Sequence, residues 1–222
     1  MIKSDGWLDW GIKYPGPTNK KEPGKNLSLG IVFHSMEGWL SGSLAELAKP
    51  ERSASWLFSV ALDGTLYQHY PVTVSCWASG NYFANTRYWS IETEGVQPTP
   101  VNGPQSETLR RIIAEWEDYS GLVANRLAGN TQTLFLHREV ATIVSPNAGG
   151  TACPSQRYNS FWETLKQKQE QENEMTAQEL TSAMKELNEA IVKRLALIEV
   201  GAGEYTRMLK AYDLLKTAGL LS

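Results

Sequence analysis

Two apolar runs in this chain each end on a histidine, and that repetition restricts the folds open to it. Leu29-Gly30-Ile31-Val32-Phe33 runs into His34, and Thr133-Leu134-Phe135-Leu136 runs into His137. A short continuous apolar run suits a strand buried on both faces. The imidazole that follows then sits at the end of the strand. After His137 the chain passes through Gly149-Gly150-Thr151-Ala152 and returns a cysteine, Cys153, held by Pro154. His137 and Cys153 lie sixteen positions apart, too far for a finger and suited to a strand end facing a loop. Two nitrogens and one sulfur are donors that zinc accepts. Three protein ligands leave the fourth position for water, the mark of a catalytic site.

The 222 residues suffice for one substantial domain and a small appendage. A net charge of -3 gives no electrostatic reason to expect nucleic acid or an anionic membrane as partner. Eight tryptophans and nine tyrosines either fill a core or hold sugars and stacked ligands on exposed ring faces. Cys76 and Cys153 are the only cysteines, too few for a disulfide framework. The opening Met1-Ile2-Lys3-Ser4-Asp5-Gly6 lacks the charged-then-apolar pattern of a signal peptide, and no apolar stretch is long enough to span a bilayer. The expectation is a protein that starts in a reducing cytoplasm, where a lone thiol favours metal binding or catalysis.

Residues 1–28, rich in Gly, Pro, Asn and Lys, read as an irregular arm pinned by Trp7 and Trp10. Ser43 is placed to cap a short helix over 44–48, stopped by Pro50. Residues 55–62 and 65–70 flank Asp63-Gly64 as a hairpin. Residues 89–95 alternate like a half-buried strand. Three prolines make 96–105 a loop, and Ser106 is placed to cap a helix whose apolar face carries Leu109, Ile112, Ile113 and Trp116. A helix with Phe161, Trp162 and Leu165 closes an α/β layered domain near residue 165. The polar stretch 166–175 reads as a linker. Thr176 and Glu179 then form a capping box, ahead of a 3–4 spaced seam through Leu180, Met184, Leu187, Ile191, Leu195 and Ile198. Gly201-Ala202-Gly203 breaks it, and a shorter amphipathic helix completes a hairpin over 176–222. That hairpin is too small to bury a good core alone, so it pairs with itself or with a partner.

With these segments in view, the chain resembles the zinc-dependent N-acetylmuramoyl-L-alanine amidases, the type 2 family of phage endolysins and peptidoglycan recognition proteins. IVFHSMEG, SWLFSVALDGTLYQHYP, SIETEG and LFLHREV through GGTACP carry the likeness over roughly residues 27–165. It implies a mixed central β-sheet flanked by helices, with the helical hairpin following, and zinc held by His34, His137 and Cys153. The implied reaction cuts the amide between muramic acid and L-alanine of peptidoglycan. Glu92 falls where some members place a catalytic glutamate. Glu94 lies on the same strand face by period two, so alternation does not separate the pair, and the preference for Glu92 rests on the likeness. Thr151 stands where many members have an oxyanion-stabilising lysine, and a hydroxyl can donate a hydrogen bond there. Trp56 stands where a tyrosine is common, keeping an aromatic wall and an N–H that cannot ionise. Trp77, Asn81 and Tyr82 lie in a loop where the family contacts substrate. The opening GWLDWGIKYPGPTNK also looks like a phage lysin arm, implying an endolysin that waits in the host cytoplasm and reaches the wall at lysis.

Plainer readings stand beside these. His69 suits a surface or packing role and Cys76 a core position. Glu92 could be half of a salt bridge, and Trp77 wholly packed. A recognition protein that binds peptidoglycan without cutting it is the alternative function, and Cys153 argues against it, because binding-only relatives commonly replace that cysteine. The hairpin is expected to bind wall polymer or to self-associate.

Overall fold

The computed structural model describes residues 1–126, 131–143 and 151–196, together with 210, 212–214 and 216. The chain divides into two compact units, Met1–Lys166 and Gln167–Ser222. The first is built on a six-stranded sheet. In chain order its strands are β1 (Ile12–Lys13), β3 (Gly30–Ser35), β4 (Phe58–Val60), β5 (Leu66–Gln68), β7 (Tyr88–Thr93) and β8 (Leu134–Leu136), and they lie side by side as β1-β5-β4-β7-β3-β8. Only the β4–β5 hairpin is antiparallel; the other pairings in this sheet are parallel. A two-stranded sheet pairs β2 (Lys21–Lys25) with β6 (Val74–Cys76). The helices are α1 (Leu40–Ala48), α2 (Tyr82–Asn85), α3 (Gly103–Ser120), α4 (His137–Ile143) and α5 (Asn159–Ala196). This is the mixed, helix-flanked α/β sheet that the sequence led us to expect.

Strand β3 is buried along its whole length, as a central parallel strand covered on both faces must be. Ile31 and Phe33 face the main core with Leu109, Ile112, Ile113 and Trp116 of α3. The aromatics at and just before the start of α5 close on Phe33, with Trp162 edge-on at 4.9 Å and Tyr158 at 5.7 Å. Val32 turns to the opposite face and packs with Ala84 of α2, Phe135 of β8 and Val140 of α4. By strand alternation His34 shares that second face.

Several boundaries differ from the sequence expectations. The helix expected at Ser43 begins at Leu40, without a side-chain cap from its own N-cap residue; its first amide donates instead to Glu94 Oε1 at 2.9 Å. The long helix α3 is capped by Asn102 in a reciprocal capping box with Gln105, and Pro104 sits in its first turn, where a missing N–H costs nothing. Ser106 is therefore inside the helix. The arm is not wholly irregular, since it supplies the edge strand β1 and all of β2. Its aromatic pins are present: Trp10 donates to Glu115 at 3.0 Å and lies under Arg111. The strand at 89–95 is central rather than half-buried.

Residues 166–175, read as a linker, are helical within α5, and Thr176 lies inside that helix rather than at a cap. Polar residues of good helix propensity extend a helix already nucleated by a packed aromatic turn, without needing an apolar face. Within the second unit, Leu180, Met184, Leu187 and Ile191 are exposed along α5. The side chains of Leu195 and Ile198 and the helix expected after Gly203 lie largely outside the described residues. Among the described residues, no helix is long and apolar enough to cross a membrane.

Gly30 sets the approach of β8 to β3: a Cβ there would lie 2.3 Å from the Thr133 carbonyl oxygen. Gly30→Ala should therefore push the two strands apart and cost about 1–3 kcal/mol, read as a lowered Tm against wild type in the same buffer.

Candidate metal centre and active site

Three parallel strands end side by side at the site. In the β3–β7 register His34 lies opposite Glu92, and in the β3–β8 register Phe33 lies opposite Leu136, so His137 follows beside His34. The two imidazole rings are 4.4 Å apart between centroids. Cys153 arrives from the loop beyond α4, its carbonyl accepting from the Arg138 amide at 2.8 Å in the first turn of that helix. Its Sγ lies 4.0 Å from His34 Nδ1 and accepts from the Ser35 amide at 3.4 Å. One ligand atom from each of His34, His137 and Cys153 falls within 4.8 Å of the others.

The surroundings leave these donors neutral and in need of a partner. Burial, with His137 adjacent, holds the His34 imidazolium well below its usual range, and His34 Nε2 is buried without a hydrogen-bond partner. Burial lowers His137 too, opposed in part by the polar backbone of Ser79. Burial pushes the Cys153 thiol up to about 12, with Glu92 adding to the effect. Such a thiol becomes a thiolate only beside a cation. The set of two nitrogens and a sulfur, with one nitrogen orphaned, fits zinc.

Glu92 is the carboxyl beside these donors. Its Oε1 stands 3.9 Å from His34 Nδ1, its Oε2 has no partner, and the side chain is 19% exposed. Burial first, then the charge of Glu37, raises its carboxyl to about 8. Bonding distinguishes it from Glu94. Glu94 spends Oε1 on the Leu40 amide and Oε2 on the Leu62 amide, so it is a structural clamp. Thr151 Oγ1 accepts from the Cys153 amide at 3.2 Å, which leaves its hydroxyl hydrogen to donate elsewhere.

The remaining sequence candidates separate by environment. Trp56 is 7% exposed and donates its indole N–H to Ser59 Oγ at 2.8 Å, so that donor is already engaged. Trp77 is half-buried, and with Asn81 and Tyr82 it lines a cavity of about 310 Å³. Asn81 Oδ1 accepts from the Phe83 and Ala84 amides as the cap of α2, so it shapes the loop. Cys76 is a core residue, 2% exposed. His69 is buried rather than on the surface, bonded to Ser59 Oγ and the Tyr14 carbonyl, and burial lowers it to about 4.

Sequence reasoning missed the residues that hold the strand ends. Arg157, fully buried, donates to Ser35 Oγ at 2.7 Å, to the Thr93 carbonyl and to the Glu94 carbonyl. Gly95 is obligatory beneath it: φ is +126°, and a Cβ would meet the guanidinium at 2.2 Å. Tyr158 donates to the His34 carbonyl and Thr93 Oγ1. Glu37, accepting from the Gln97 amide and Ser155 Oγ, brings a second carboxylate close to Glu92. Their only sequence signal is nearness to the ligands in SQRY and SMEG.

Comparison with known proteins bears on the family and the fold. Residues 25–156 match the family model described as N-acetylmuramoyl-L-alanine amidase, more than half of the chain. No curated protein matches the chain significantly. Among solved structures, Staphylococcus aureus hydrolase AmiA, in complex with its ligand, is similar at TM-score 0.55 and 16% identity, over 68% of this chain and 75% of that one. A selenomethionine AmpD derivative gives 0.51 and 20%, over 72% and 99%. A point mutant of PlyL gives 0.51 and 13%, over 70% and 98%. At these identities the structures speak for the fold.

The raised Glu92 carboxyl has a consequence for metal-free protein. A carboxyl whose folded pKa lies above its unfolded value makes the native state bind more protons between the two, so stability falls as pH rises from about 4.5 to 8. In chelator-treated protein Glu92→Gln should raise Tm more at pH 8 than at pH 5. An equal shift at both would mean that the buried charge is not the cause.

Proposed function

The chain belongs to the N-acetylmuramoyl-L-alanine amidase family, and on that footing we propose that it cuts peptidoglycan with zinc held by His34, His137 and Cys153. The observation that carries the zinc reading is the meeting of two imidazoles and a thiol within 4.8 Å, beside a glutamate with a free buried oxygen. Zinc bound there supplies Lewis acidity, which acidifies water and polarises the amide carbonyl. A divalent cation beside His34 also favours the carboxylate form of Glu92, opposing the burial that raises it.

The protein's own residues handle the protons. Glu92 takes a proton from the attacking water through Oε2 and returns it to the alanine nitrogen as the C–N bond breaks. The products are a lactyl carboxylate on muramic acid and a free peptide amine. Thr151 donates its hydroxyl hydrogen to the carbonyl oxygen as negative charge gathers there, since its Oγ1 is already oriented by the Cys153 amide. Arg157 and Tyr158 keep the ends of β3 and β7 in place, so that His34 and Glu92 face each other without reorganisation.

We further place the activity in a phage or prophage endolysin, on the support of the lysin-like arm sequence. For residues 176–222 we propose self-association. The exposed residues of α5 repeat at four, three and four positions, a spacing that takes a second helix of the same pattern.

Purified protein should carry about one zinc per chain, and His34→Ala should lose it. Incubation with cell walls should release peptide amino groups, stopped by chelation and restored by zinc. Absence of release at saturating zinc would refute the reading. Glu92→Gln should keep the metal and lose about 10²- to 10⁴-fold in kcat. A chain ending at residue 174 should sediment as a smaller species than the full chain. If the assembly state is the same for both, self-association is not the role of 176–222.

A further inference from the structure

Ser59 of β4 is the register partner of Glu92 on β7, so its side chain shares a face with the carboxyl on the next strand, about 4.8 Å across the sheet. A hydroxyl therefore stands beside Glu92, and Glu92 Oε2 is nonetheless buried without a hydrogen-bond partner. We propose that His69 is a positioning residue for the reaction: it takes the hydroxyl hydrogen of Ser59 and so keeps Glu92 Oε2 open to the attacking water. The assignment rests on the role given to Glu92 above.

The bonds around Ser59 fix the direction of its hydrogen. His69 Nδ1 lies 2.9 Å from the Tyr14 carbonyl oxygen, which can only accept, so the ring carries a hydrogen there. Burial lowers the imidazolium to about 4, so at neutral pH the ring has one hydrogen and Nε2 is a bare acceptor. Ser59 Oγ, 2.8 Å from Nε2, therefore donates to it. The Trp56 indole N–H donates to the same Oγ at 2.8 Å. The single hydrogen of the hydroxyl is spent, and one of its lone pairs is filled. His69 and Ser59 are both buried, and the imidazole is packed edge-on by Tyr14 at 5.9 Å and by Trp56 at 6.1 Å, which holds it against rotation.

Without that acceptor the hydroxyl would turn to the carboxylate on the neighbouring strand. A charged oxygen is the stronger acceptor, and a hydrogen bond to it would occupy the atom that has to take the proton from water. Trp56 cannot relieve Ser59 of its hydrogen, because an indole N–H only donates. Among the described residues the imidazole of His69 is the group that receives it. The arm enters the site through the same bonds, since the carbonyl of Tyr14 decides which ring nitrogen is left bare.

Two measurements on the full zinc-loaded chain test this. The chain has only three histidines, so nitrogen NMR reads each ring separately. His69 should carry its hydrogen on Nδ1 and leave Nε2 bare; the opposite tautomer would overturn the assignment. His69→Phe, which keeps a packed ring without an acceptor, should lower kcat for wall hydrolysis about tenfold, with KM and zinc content unchanged. Adding Ser59→Ala, which removes the hydrogen, should bring kcat back to within about threefold of the unaltered chain. His69→Gln, whose Oε1 can accept from Ser59 while Nε2 donates to Tyr14, should keep kcat. Full activity in His69→Phe, or a loss that Ser59→Ala does not relieve, would leave His69 a plain packing residue and sink the assignment. Should His69→Phe not fold, the ring nitrogens of the unaltered chain and a loss of kcat in His69→Gln still decide against it. An unaltered chain that releases nothing from walls counts against the amidase reading, whereas the tautomer of His69 bears on this assignment alone.

Discussion

Everything at the site depends on the parallel pairing of β3 with β7 on one side and β8 on the other. Parallel neighbours advance together, so their ends open on the same edge of the sheet and their paired side chains share a face. His34 and Glu92 are register partners, and His137 is one step beyond the last β8 pair. None of these three segments by itself carries two imidazoles and the carboxyl. Three strands buried on both faces bring them together because slipping the register by one residue would turn their apolar side chains out of the core.

A site built on strand ends needs its frayed edge held, and buried polar groups do this work. Arg157 and Tyr158 satisfy carbonyls at the ends of β3 and β7, while Glu94 satisfies two amides of neighbouring segments. Each of these contacts would be costly to leave half made in the interior. The result is a rigid edge on which His34 Nε2 and Glu92 Oε2 are left without partners. Desolvation then does the chemical tuning: it keeps the imidazoles neutral, keeps the thiol protonated and raises Glu92. The thiol and the carboxyl are poised to lose their protons beside a cation, and the imidazoles are already in the neutral form that binds one.

The same edge connects to the surface through the loop after β6. Asn85 ties that loop to β2, donating to Glu22 and accepting from the Ala78 and Ser79 amides. The arm, which has little regular structure, is built in through Lys20 and through the edge pairing of β1. It is thereby part of the site's frame rather than an appendage.

The sequence by itself determined the apolar runs ending at His34 and His137, the hairpin around Asp63-Gly64 and the core face of α3, because each is a local pattern with a period or a spacing. It also marked Cys153 as a candidate third donor, and folding brings its sulfur within 4.8 Å of one nitrogen of each imidazole. It could not separate Glu92 from Glu94, since alternation places both on one face. Only the tertiary structure decided between them, by giving Glu94 two distant amides and Glu92 none. The amide partner at the start of α1 and the burial of His69 and Arg157 were likewise settled only on folding, by partners far along the chain. Hydrogen bonds between distant segments leave no periodic trace in a sequence, and that is why these features appear only once the chain is folded.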